Sequence, residues 1–311
     1  MKRVLALSGG IGGAKLALGL QAVLPRGALA VLANTGDDFE HLGLLICPDI
    51  DTLLYTLSGR ADPQRGWGRA DETWHCLDAL RELGGEDWFA LGDRDLALHI
   101  VRTQRLRRGE RLTEVTAALA DRFGLATRIL PMADDPVRTW LRTDAGELEF
   151  QRYFVALRAA PAVRAIEYRG ATTARANPIA LDLLRSAELD AVVICPSNPW
   201  LSIAPLLALP ELRAALLATA APVVGVSPIV GGRALKGPTA KIMSELGYEV
   251  SARAVAEFYG ELLDGFVLDT VDAALAARLP LPTFIGATVM QNLDDKRRLA
   301  ADVLRFAAQL R

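Results

Sequence analysis

Cysteine is nearly missing from this chain: Cys47, Cys76 and Cys195 are all there is in 311 residues. Three scattered thiols do not suit a disulfide framework, and they lack the paired spacing of a zinc site. An excess of charge is missing too. With 35 Lys and Arg against 37 Asp and Glu, the net charge is −2, which leaves no electrostatic footprint for nucleic acid. The densest basic stretch, 102–111, reads as a solvated helix face and turn. No apolar run reaches membrane-spanning length without a charge or a proline, so no membrane partner is expected. A strand pattern begins within three residues of the start, which leaves no room for a secretory leader, and the expected location is the cytoplasm. Internal repeats, low-complexity tracts and flexible linkers are absent as well. What remains is half apolar (51 %), enough to bury a large core as one α/β domain over residues 1–311.

Short apolar runs alternate with helical patterns at both ends. Residues 4–7, 29–33, 191–194, 223–226 and 266–268 read as strands. Residues 14–24, 179–187, 203–218 and 241–246 read as helices. That alternation predicts a Rossmann-like, doubly wound, mostly parallel sheet with helices on both faces. Ligands on such sheets sit at the carboxyl ends of the strands, and four polar or glycine-rich loops follow strands there. The middle differs. Residues 51–57, 73–83, 94–105 and 112–122 have helical periodicity, and 137–141 and 148–154 read as a hairpin around Asp144-Ala145-Gly146. Residues 49–155 are therefore expected to form an inserted helical and hairpin lid over the rim.

The chemistry concentrates in the first fifty-one residues. Gly9, Gly10, Gly12 and Gly13, then Lys15, join the first strand to the first helix. Such a loop brings backbone close to an anion and aims free N–H groups at it. It matches neither the P-loop, which needs a glycine where Ala14 precedes Lys15, nor the dinucleotide spacing, which needs a glycine at Lys15. Four carboxylates follow, Asp37 and Asp38 in one loop and Asp49 and Asp51 at a helix start. Each also reads as turn or helix-capping chemistry. As a set beside a phosphate cradle, they read as a holder for a divalent metal. Magnitudes favour that: a helix N-terminus contributes about 0.3–1 kcal/mol toward an anion, whereas a divalent ion contributes several. Asp95, His99 and Arg102 share one helical face, which suits either solvent or a row of substrate contacts. Trp67 and Trp74 serve as core anchors or as flat faces for a ring system. Ser197 and Asn198, in a Pro-Ser-Asn-Pro turn, can hydrogen-bond a nucleotide. Ser227, Gly231, Gly232, Arg233 and Lys236 form a second candidate anion loop.

In order, Ser8-Gly9-Gly10-Ile11-Gly12-Gly13-Ala14-Lys15, Asn34-Thr35-Gly36-Asp37-Asp38, Pro48-Asp49-Ile50-Asp51-Thr52, Trp88-Phe89-Ala90-Leu91-Gly92-Asp93-Arg94-Asp95, Pro196-Ser197-Asn198-Pro199 and Ser227-Pro228-Ile229-Val230-Gly231-Gly232 resemble the 2-phospho-L-lactate transferase (CofD-like) family of deazaflavin coenzyme F-420 biosynthesis. Arg65-Gly66-Trp67-Gly68 and Asp71-Glu72-Thr73-Trp74-His75 look most like its bacterial branch. The resemblance implies a Mg²⁺-dependent transfer of a phospho-acid (2-phospho-L-lactate, phosphoenolpyruvate or 3-phosphoglycerate) from a guanosine diphosphate conjugate to the ribityl hydroxyl of the deazaflavin Fo, releasing GMP. It further implies that the glycine loop faces the donor diphosphate, with Ser197, Asn198 and the 227–238 loop at the guanosine phosphate end. Asp37, Asp38, Asp49 and Asp51 are the implied metal pool. Asp51 and Arg94 match Fo-contacting positions, with Trp74 and His99 beside them, and Asp51, Asp38 and Arg94 are the expected catalytic group. A homodimer is expected only because two-fold pairs are the commonest assembly.

Two other readings compete. A related family with the same glycine loop comprises nucleotide-sugar-binding regulators, which would make this a binding protein. Residues 51–57 and 91–97 argue for the transferase. A nicotinamide oxidoreductase would need the glycine that Lys15 replaces and one ribose-binding acid where two stand.

Overall fold

The computed structural model describes residues 3–235 and 237–310, so the expectation placed on Lys236 falls outside the described residues. At the centre is β1 (Arg3–Ser8), with all but Arg3 buried. It pairs in parallel with β2 (Leu29–Ala33) on one side and β9 (Leu189–Ile194) on the other. β5 (Arg128–Pro131) lies beyond β2, and β10 (Val223–Val226), β13 (Gly265–Asp269) and β14 (Thr283–Gly286) lie beyond β9, giving a seven-stranded parallel sheet. Successive side chains point to opposite faces, so β1 feeds two cores. Leu5 and Leu7 join β9 residues Val192 and Ile194 under α6 (Pro178–Arg185), α8 (Pro210–Ala218) and α10 (Ala252–Tyr259). Val4 and Ala6 join Ala191 and Val193 under α1 (Gly10–Val23), α2 (Pro48–Leu57), α5 (Leu112–Arg122) and α11 (Leu293–Gln309). This is the doubly wound α/β class expected from the alternating runs.

The inserted region is divided differently from the expectation for 49–155. β5 falls inside it and is an outer strand of the main sheet. It ends on Pro131, which an edge strand tolerates because no neighbour needs the missing N–H. Ile50, Leu53, Leu54 and Tyr55 of α2, with Val115 and Leu119 of α5, are buried in the second core. Both helices therefore belong to the body.

Two accessory layers remain. One holds α3 (His75–Glu82), α4 (Asp93–Arg107) and the hairpin of β3 (Phe39–His41) and β4 (Leu44–Ile46). The other is an antiparallel sheet of β6 (Arg138–Thr143), β7 (Gly146–Glu149) and β8 (Val163–Arg169), in the order β7-β6-β8. The strand expected over 148–154 stops at Glu149, and a π-helical turn follows at Arg152–Ala156. Leu201 and Ile242, the latter in α9 (Thr239–Glu245), pack with Leu141, Phe150 and Tyr153 and seat this sheet on the body. A short helix, α7 (Ala204–Leu207), precedes α8, and the small hairpin of β11 (Ile229–Val230) and β12 (Arg233–Ala234) follows β10. Among the described residues no single helix is long and apolar enough to cross a membrane.

Candidate active site

The order of strands reverses between β1 and β9. In an open parallel sheet that switch point is where a crevice opens at the carboxyl ends. The two loops flanking it are the glycine loop and the Pro-Ser-Asn-Pro turn, and Ser197 fastens them together. Its Oγ accepts from Gly9 N at 3.2 Å and donates to Gly9 O at 2.7 Å. The glycines are what let the loops meet: a Cβ on Gly12 would stand 2.4 Å from Pro196 O, and one on Gly13 2.5 Å from Ser197 Oγ. Gly13 is buried there and does not line the crevice.

A cavity of about 930 Å³ opens over this switch point. Its wall includes Gly9, Gly10, Gly12, Lys15, Ser197, Asn198 and Ser227. Lys15 Nζ donates to Met290 O at 3.2 Å, which ties the segment after β14 to this wall. Asn198 spends its Oδ1 on Trp200 N and Leu201 N, while its buried Nδ2 has no partner. The wall also carries the aromatic side chains Trp67, Trp88, Phe89, Phe150 and Phe154. Trp88 and Phe89 pack edge-on with Phe39 and His41 of β3, and the guanidinium of Arg152 lies 4.2 Å over the Trp88 ring. The two accessory layers thus meet at Trp88.

The four aspartates are all buried, yet they do different jobs. Asp49 is a bracket: its Oδ1 accepts from Gly10 N at 2.5 Å and its Oδ2 from Asn34 Nδ2 at 2.9 Å. A carboxylate therefore already sits at the start of α1, where an anion is favoured. Asp51 accepts from both terminal nitrogens of Arg102. Asp37 lines the cavity with an Oδ1 that has no partner. Asp38 also has an unpaired Oδ1, but it lies off the cavity wall, against the Cys47 thiol.

Among the described residues, no three His, Cys, Asp or Glu side chains form a metal-holding group by themselves. Mg²⁺ commonly takes one or two carboxylates and completes its shell with water and substrate phosphate. The orphaned Asp37 oxygen beside the glycine loop fits that role.

Burial of these acids has a pH signature. Burial first, then the charge of Asp49, raises the Asp37 carboxyl well above its ordinary value. Burial pushes Asp38 up to about 7 and Asp49 up to about 6. The folded chain keeps protons that the unfolded chain has lost, so their stabilisation is full at low pH and disappears as pH rises through the folded values. His41, lowered by burial, acts oppositely, but only below its ordinary 6.5. The melting temperature of the ligand-free protein is therefore expected to fall between about pH 6.5 and 8. Asp38→Asn should flatten that slope, as thermal melts across this range would show.

The remaining expected residues divide. His99 lines the cavity, as does Asp95 of the same helical face. Arg94 is exposed at the start of α4, with its backbone N–H donating to Glu72 at 2.7 Å. Trp74 is off the wall and holds Arg65, whose guanidinium lies 4.8 Å over its ring. Gly231 and Gly232 form the β11–β12 turn with positive φ and do not line the cavity. The basic stretch at 102–111 is not uniformly solvated: Arg102 is fully buried, whereas Arg107, Arg108 and Arg111 are exposed. Thr288 to Gln291 also line the cavity. No motif marks them, and the signal that leads there is the strand β14 just before.

Residues 4–294 match the family described as 2-phospho-L-lactate transferase CofD. The chain belongs to that family. A relative named phosphoenolpyruvate transferase from Streptomyces coelicolor is 42% identical over 318 aligned positions, covering 99% of each chain. Another of that name from Streptomyces avermitilis is 43% identical with the same coverage. A relative named 2-phospho-L-lactate transferase from Methanosarcina mazei is 39% identical, covering 97% of this chain and 99% of its own. A solved UPF0052-family protein from Bacillus halodurans superposes with a TM-score of 0.64 at 14% identity, covering 97% of this chain and 98% of that one. At that identity the likeness concerns the fold alone. As a member of the CofD family the chain is a transferase.

Proposed function

We propose that this transferase moves a phosphoenolpyruvyl group from its guanosine diphosphate conjugate to the terminal ribityl hydroxyl of Fo, releasing GMP. The supporting observation is one cavity lined both by a glycine loop, Lys15 and polar turns and by five aromatic side chains. A diphosphate suits the first and a tricyclic deazaflavin the second. The three-carbon acid is chosen from the two Streptomyces relatives, whose names specify phosphoenolpyruvate.

In this reading the diphosphate lies along the start of α1, where backbone N–H groups beyond Gly10 and the Lys15 ammonium face it. The spare Asn198 amide hydrogens donate to the guanosine phosphate end. Asp37 would hold Mg²⁺, which supplies charge stabilisation on the phosphoryl oxygens when bound. Asp51 accepts the proton of the attacking hydroxyl. The new bond runs from the hydroxyl oxygen to the phosphorus bearing the acid. The bond from that phosphorus to the bridging oxygen breaks, and its electron pair leaves with GMP. Arg94 and Trp74 stand off the wall, so contact with Fo would require the α3–α4 layer to move inward.

Ligand-dependent melting tests the reading, because a ligand bound to the folded state raises apparent stability. GDP and Fo should each raise the melting temperature, and a UDP-sugar or NAD should not. A shift with the UDP-sugar alone would favour a binding protein. Trp88→Ala should raise the KM for Fo about tenfold, on about 1.4 kcal/mol of lost ring contact, with the donor KM unchanged in initial-rate assays.

A further inference from the structure

Arg102 is the largest fully buried side chain among the described residues. It does not reach the cavity, but Asp51, His99, Asp95 and Tyr55, which surround it, all line the wall. Its Nη1 donates to Asp51 Oδ2 at 3.1 Å, to His99 Nδ1 at 3.2 Å and to Leu45 O at 3.5 Å, and its Nη2 donates to Asp51 Oδ1. A guanidinium can only donate, so His99 Nδ1 is an acceptor and the ring proton sits on Nε2. That atom lies 3.3 Å from Asp95 Oδ1 without completing a hydrogen bond, and Asp95 Oδ1 accepts from the Tyr55 hydroxyl at 2.5 Å. One buried cation thus ties Asp51 of α2 to His99 of α4.

Stability does not explain this arrangement well. A buried ion pair is often no better for folding than apolar side chains of similar volume, and both helices already bury apolar faces, Leu53 and Leu54 in α2 and Leu98 in α4. The fork does give direction. Two parallel donors define the plane of a carboxylate far better than a single contact. Each Asp51 oxygen spends one lone pair on Arg102 and keeps another.

We infer that Arg102 is a positioning residue, which clamps the Asp51 carboxylate in the orientation that receives the acceptor hydroxyl. The inference rests on the role proposed above for Asp51. It predicts that Arg102 acts on turnover only through Asp51, and that substrate binding is nearly indifferent to it.

A double-mutant cycle on transfer to Fo tests this, with rates counted per folded molecule from a parallel melt. Arg102→Met should lower kcat by about 30–100-fold, with donor and Fo KM changed less than about threefold. In an Asp51→Asn background the same change should cost less than about twofold. The double variant carries no orphaned charge, so it should fold even where a single variant is weakened. If Arg102→Met does not fold, Arg102→Lys carries the cycle, keeping the charge but not the fork, and should lower kcat about tenfold. Full kcat per folded molecule, or an equal loss with and without Asp51, overturns the clamp. Normal kcat in Asp51→Asn instead removes the proton-acceptor role itself and leaves the clamp without a purpose.

Discussion

Asp51→Asn is expected to slow transfer to Fo by about 10²–10⁴-fold, the usual reach of a positioned general base. GDP affinity should stay within about twofold, because the nucleotide end of the cavity is built by other residues. The separation follows from geometry. Asp51 and Asp49 are two residues apart on α2, yet Asp49 holds Gly10 N–H and Asn34 while Asp51 faces Arg102. The substitution leaves the Arg102 charge buried and unpaired, a cost of about 3–5 kcal/mol, so melting must be recorded beside the rate. A loss of GDP affinity matching the loss of rate would show that Asp51 supports the donor site instead of the chemistry.

Asp37→Asn is expected to remove the response to Mg²⁺. If the ion contributes about 3–4 kcal/mol, the loss in rate is on the order of 10²–10³-fold. Its sign on stability is the opposite of Asp51→Asn. Asp37 is a buried carboxyl with an unpartnered oxygen and the charge of Asp49 nearby, so removing it should raise the melting temperature of the ligand-free protein near pH 8. Calorimetric titration of GDP with and without Mg²⁺ checks the first part: wild type should bind GDP more tightly with the ion, and the variant equally in both. Persistent Mg²⁺ enhancement in the variant would place the ion on other residues.

Runs of Val, Ile and Leu bounded by glycine and proline made β1, β9 and β10 legible in the sequence, and with them the crevice between the first two. β5 and β14 were not legible. Each has only two large apolar residues, Ile129-Leu130 in one and Phe284-Ile285 in the other, so neither gives a run to read. That gap had consequences: without β5 the helices before it and the hairpin after it look like one insertion, and without β14 nothing points to Thr288 through Gln291. The four aspartates were legible as a group and not as individuals, because spacing shows that carboxylates are near and not which donor each one meets. Arg102 shows the same limit. It sits at the head of a basic stretch in which Arg107, Arg108 and Arg111 are exposed, and only the packing of α4 against α2 and β4 turns it inward.

The transfer itself is tested most directly by mass detection of the acceptor. Purified protein, Mg²⁺ and Fo are incubated separately with the guanylylated forms of phosphoenolpyruvate, 2-phospho-L-lactate and 3-phosphoglycerate. The expected result is a mass gain on Fo equal to the phospho-acid less one water, GMP in equal amount, and fastest turnover with the phosphoenolpyruvate conjugate. Unchanged Fo with every donor would contradict the proposed reaction, and faster turnover with either other conjugate would contradict the proposed acid.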